Sequence, residues 1–148
     1  MEQLKELFSR YEILLENYSK ALHIESLTLQ EMVRKDFSDG LVSYTKDLTK
    51  ELSLKKSLLP DASGSLEEAT LSELDSHAAD ILKKLQKLTA DTKAAEDMED
   101  TLECAKYYAY TVLADMNDLR ISVDAAESLI PERYLPYPTY DEILYSLR

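Results

Sequence analysis

The sequence predicts an all-α fold, an antiparallel bundle of three or four long helices with a short C-terminal helix after a Pro-x-Pro corner. Three observations predict it. Glycine occurs twice and proline four times in 148 residues, so few positions can break a helix. Apolar residues recur three and four positions apart through three long stretches, the period of a helix and not of a strand. Turn chemistry gathers in two places, residues 59–64 and 131–138. Three such runs joined by short loops bury their stripes only against one another. The simplest reading is one helical domain, 1–148, whose last part, 131–148, is a Pro-rich corner and docking helix.

The first run spans residues 2 to about 55. Leu4, Leu7, Tyr11, Leu14, Tyr18 and Leu22 alternate three and four apart, and Leu29, Val33, Phe37, Leu41, Tyr44 and Leu48 continue less regularly. Gly40 lies inside it, and glycine there is roughly 1 kcal/mol less favourable than alanine. A kink or break near residues 37–40 is therefore expected, giving one bent helix or two. Leu59, Pro60, Asp61, Ala62, Ser63 and Gly64 form the loop that follows. Ser65 with Glu68 has the spacing of a capping box. The second run, about 66–94, has the stripe Leu71, Leu74, Ala78, Ile81, Leu85, Leu88 and Thr92, with Lys83, Lys84 and Lys87 on its polar face.

The third run is the most regular. Met98, Ala105, Val112, Leu119 and Ala126 repeat every seven residues, and so do Leu102, Ala109, Met116, Val123 and Ile130. Together they make one heptad seam. Glu96, Asp97, Glu99 and Asp100 stand at its start, where the helix dipole favours anions. Pro136 and Pro138 then forbid further helix and extend the chain. Thr139 and Glu142 have capping-box spacing and predict a last helix over 140–147, which caps the bundle or reaches another surface.

A formal net charge of −12 argues against nucleic acid and anionic membrane as partners, because both need basic surface. No apolar run approaches the ~20 residues of a membrane span, and the start lacks the apolar core of a signal peptide. The single Cys104 cannot form an internal disulfide. These features suit a cytoplasmic protein.

Little in the chain points to chemistry. The acidic cluster 96–103 lacks the alternating ligands and glycine of a calcium loop. His23 and His77 stand apart, without the companions a zinc site needs. Cys104 has no base at readable spacing and reads as a structural, at least half-buried thiol. There is no Gly-rich phosphate loop and no nucleophile–base pair. No catalytic, cofactor-binding or metal residue is expected. Tyr107, Tyr108 and Tyr110 are crowded on one helix, and adjacent residues there point about 100° apart. Core packing absorbs some of them. Tyr107, Tyr110, Tyr137 and Tyr145 are the candidates for a partner surface, since tyrosine buries its ring and keeps its hydroxyl satisfied.

A family resemblance adds to this. Met116, Leu119, Arg120, Asp124 and Glu127 precede the corner Leu135, Pro136, Tyr137, Pro138, Thr139, Tyr140 and the apolar Ile143, Leu144, Tyr145. Upstream lie residues 10–18, Ile24, Glu25 and Leu27, and then Leu58, Leu59, Pro60 and Asp61. In this order they resemble the C-terminal module of type III glutamine synthetases. That family commonly has Trp at the position of Leu135 and an aliphatic residue at that of Tyr137. The resemblance implies a parent enzyme that joins ammonia to glutamate with ATP hydrolysis and Mg²⁺ or Mn²⁺. It implies no cofactor in these 148 residues, because the family's metal and nucleotide sites lie in an upstream catalytic region. Partners would be that region and neighbouring subunits of a large double-ring assembly. Arg120, Asp124, Glu127, Pro136, Pro138, Thr139 and Tyr140 are the signature residues, with no catalytic role carried over. The alternative is a free-standing adaptor whose 98–130 seam pairs with a partner's helix.

Overall fold

In a computed structural model the chain is described over residues 1–137, and among these every regular element is helical. The order is α1 (Glu2–Met32), a π-helical turn (Val33–Phe37), α2 (Ser38–Leu58), α3 (Ser65–Glu96), α4 (Thr101–Tyr107), a second π-helical turn (Tyr108–Val112), α5 (Leu113–Glu127) and a 3₁₀ turn (Glu132–Tyr134). The all-α fold class and the three long helical runs stand. Pro138, Thr139, Tyr140, Tyr145 and the expected last helix lie outside the described residues.

Residues 2–58 are helical without interruption, and 101–127 likewise. No break falls at Gly40. The adjustment comes earlier, where the Val33 carbonyl accepts the Ser38 amide five residues on and also the Ser38 hydroxyl at 2.7 Å. A π turn inserts one extra residue and rotates the faces on either side of it. The capping box at Ser65 is also replaced. The Glu68 amide bonds the Gly64 carbonyl at 2.8 Å, and its carboxylate reaches across to Lys56. Glu67 pairs with Lys55 at 2.8 Å, so both acids tie the helix start to α2. Asp100 caps α4, its carboxylate accepting the Glu103 amide at 2.8 Å.

The chain forms two compact units, Met1–Glu31 with Leu82–Arg120 and Met32–Ile81 with Ile121–Arg148. In the first, Leu22, Leu88, Ala95, Ala105, Tyr108, Val112, Met116 and Leu119 are buried. Contacts pair Ser26 with Thr92 and Gln30 with Thr89, so α1 and α3 run antiparallel there. In the second, Val33, Phe37, Leu41, Leu74, Ile81, Val123, Ala126 and Ile130 form the core. The 3₁₀ turn lies on α2 in this unit. The Tyr134 hydroxyl donates to Asp47 at 2.7 Å, and its ring centroid is 5.1 Å from that of Tyr44. Gly40 is buried beneath it, and a Cβ at that position would overlap the Tyr134 carbonyl oxygen. Close approach, not bending, is what this glycine serves.

Candidate functional site

Several polar side chains of this chain bond one helix to another. In the first unit α1 and α3 meet through hydroxyls and an amide. Ser26 Oγ lies 2.6 Å from Thr92 Oγ1, and Thr92 Oγ1 donates to the Leu88 carbonyl at 2.7 Å. Gln30 Nε2 donates to Ser26 Oγ at 3.1 Å, and Thr89 Oγ1 donates to Gln30 Oε1 at 2.8 Å. Ser26, Gln30 and Thr92 are all buried. Burying such groups is tolerable because each finds a partner. Of these, sequence reasoning placed only Thr92 in a stripe. Ser19, Ser26 and Gln30 share helical spacing with Leu22 and Val33, and that spacing was the available signal.

A second cluster joins α3 to the third run. Lys87 Nζ bonds Asp91 Oδ2 at 2.9 Å and Asp115 Oδ1. The Tyr107 hydroxyl donates to Asp91 Oδ1 at 3.0 Å. Asp115 is buried, and its Oδ2 has no hydrogen-bond partner as a bare carboxylate. Burial first, then Asp91 beside it, pushes the Asp115 carboxyl above the usual carboxylate range, against the pull of Lys87. The hydrogen bond from Asp115, ahead of Lys87 and Tyr107, holds Asp91 below that range. Both directions follow from two carboxyls held together: the proton they compete for is held more tightly at Asp115 than at Asp91. Lys87 is held charged, first by Asp115 and then by Asp91.

Tyr108 is the buried member of the tyrosine cluster. Its hydroxyl is 3.0 Å from His23 Nδ1, the rings edge to face with centroids 6.2 Å apart. Burial pushes the phenol up to about 12, so it stays protonated at neutral pH. Cys104 is half-buried, and its thiol lies 3.4 Å from the Ala95 carbonyl as a donor. A groove of about 550 Å³ opens beside these residues, lined among others by Lys20, His23, Glu96, Glu99, Thr101 and Tyr108. Among the described residues no three His, Cys, Asp or Glu side chains converge as metal ligands.

The candidate interaction residues are dispersed. Tyr107 is half-buried and bonded to Asp91. Tyr110 is 79% exposed. Tyr137 is half-buried and donates to the Glu127 carboxylate; burial, then Glu127, raises its pKa. Tyr145 lies outside the described residues. Among the signature residues, Arg120, Asp124 and Pro136 are exposed, and Glu127 is half-buried beneath Tyr137. The heptad seam is largely consumed within the chain. Ala105, Val112, Met116, Leu119, Val123, Ala126 and Ile130 are all buried. Met98 and Ala109 are half-buried, and Leu102 is the exposed member, at 39%. The π turn at Tyr108–Val112 rotates the helix before it, so Leu102 swings out and Tyr108 swings in.

Comparison with known proteins agrees with the family resemblance. Residues 2–56 match the family model described as the glutamine synthetase C-terminal domain. The glutamine synthetase of Butyrivibrio fibrisolvens is 60% identical over 144 residues, which is 97% of this chain and 21% of that protein. The type-3 glutamine synthetase of Dictyostelium discoideum is 26% identical over 95% of this chain and 20% of its own length. The glutamine synthetase of Bacteroides fragilis is 29% identical over the same shares. The chain thus spans about one fifth of the length of the curated relatives it matches.

Proposed function

Because this chain is a C-terminal helical module of the type III glutamine synthetase family, we propose that it is a structural and assembly module with no reactive centre of its own. It braces the rest of a glutamine synthetase polypeptide or contacts neighbouring subunits. The parent enzyme joins ammonia to glutamate with ATP, and its Mg²⁺ or Mn²⁺ and nucleotide are held by residues outside these 148. The same reading places the protein in the cytoplasm; no helix among the described residues is long and apolar enough to cross a membrane. The observation that carries the proposal is the breadth of the match: 97% of this chain aligns at 60% identity with only 21% of the Butyrivibrio enzyme. The spending of polar side chains on helix–helix bonds supports it. The adaptor reading loses support, since the 98–130 seam that would take a partner's helix is mostly covered by the chain's own side chains.

Titration of the isolated chain with ATP, in the presence of Mg²⁺, tests the proposal by calorimetry. No saturable heat is expected up to millimolar nucleotide. A stoichiometric binding isotherm would place a nucleotide site inside the module and remove the reading.

A further inference from the structure

Residues 1–18 of this chain are exposed throughout, with Leu15 alone half-buried. Yet this stretch of α1 is rich in large apolar side chains. Leu4, Leu7, Phe8, Tyr11, Leu14 and Tyr18 are each 43–68% exposed. Leu4, Leu7, Tyr11, Leu14 and Tyr18 step by three and four, so they lie along one face, with Phe8 one turn beyond Leu4. Together they present on the order of 600 Å² of apolar surface, the upper end of what a lone monomer shows and typical of an interaction site. The Arg10–Glu6 ion pair on this stretch, at 2.6 Å, is exposed and adds little.

What covers this face follows from where it lies in the longer relatives. They carry about four fifths of their length outside the part that matches this chain. Residues 2–56, which include the face, match a domain described as C-terminal, so that remainder precedes it. A second copy of this chain fits less well, because each carries a net charge of −12 and like-charged chains repel. We infer that the Leu4, Leu7, Phe8, Tyr11, Leu14 and Tyr18 face of α1 docks on an apolar surface of the polypeptide that precedes this module in a glutamine synthetase. This rests on the module reading above and names the surface that reading uses.

Hydrogen exchange tests it in the Butyrivibrio enzyme with its matching segment replaced by this chain. Amides of residues 4–18 should exchange at least tenfold more slowly there than in the isolated chain. The double variant Leu7→Ser, Leu14→Ser should lose that protection in the full enzyme. In the isolated chain it should leave the helical circular dichroism and the protection of residues 65–127 unchanged, since both positions are exposed. Equal exchange of residues 4–18 in both settings overturns the inference, as does protection that survives the double variant. Protection of the isolated chain that grows with its concentration assigns the face to a second copy and also overturns it. Where the exchange enzyme does not fold, the unaltered Butyrivibrio enzyme and its separated C-terminal segment give the same comparison. Loss of glutamine synthesis with the unsubstituted chain in place strikes at the module reading instead, and so separates the two.

Discussion

Asp115 shows how one buried carboxyl sets a condition on the residues around it. Its Oδ2 has no hydrogen-bond partner, and Lys87 neutralises only the other oxygen. Held above the ordinary value by burial and by Asp91, Asp115 binds its proton in the folded chain where the unfolded chain has released it, from about pH 4 upward. The stability this contributes is present at low pH and lost as pH rises through the raised value. Asp91, held below the ordinary value, works in the other sense: its contribution is present above about pH 4 and lost only as pH falls through the depressed value. In Asp115→Asn the amide still donates to Asp91 and still accepts from Lys87, but nothing titrates. The urea midpoint of that variant should fall less than that of the parent chain between about pH 4.5 and pH 8. An equal fall in both would show that Asp115 does not hold the proton. None of this was visible in the sequence, where Asp91, Asp115 and Lys87 are ordinary helix-surface residues. Their meeting depends on how α3 lies against the third run, which spacing along one helix does not encode.

At the scale of elements, the three helical runs and the 59–64 loop were legible, because period and turn residues act locally. Gly40 was legible as a special position but not for its reason. Propensity suggested a bend, whereas the 3₁₀ turn at Glu132–Tyr134 needs the missing Cβ. Gly40→Ala should therefore destabilise by roughly 1–3 kcal/mol through overpacking, despite the gain of about 1 kcal/mol in helix propensity. Urea unfolding followed by circular dichroism measures the net, and a raised midpoint would mean that residues 131–135 do not rest on α2. The π turns were not legible at all. A heptad drawn straight through Tyr108–Val112 places Leu102 in the seam and leaves Tyr108 out, and the extra residue reverses both.

At the scale of the whole molecule, a formal charge of −12 opposes compaction by self-repulsion, and salt screens it. The urea midpoint should rise as NaCl is raised from low salt to about 0.2 M; a fall would mean that ion pairs such as Lys55–Glu67 outweigh the net charge. The sequence by itself determined the all-α class, the number of long helical runs, the family and the lack of recognisable catalytic motifs, because periodicity, breakers and the Pro-x-Pro corner are written in neighbouring residues. Only the tertiary structure decided which stripe is used. The third run's seam is buried within the chain, whereas Leu4, Leu7, Tyr11 and Leu14, equally regular in spacing, stay open. Spacing says that a face is apolar; burial depends on whether another element arrives to cover it, and that is a long-range property of packing.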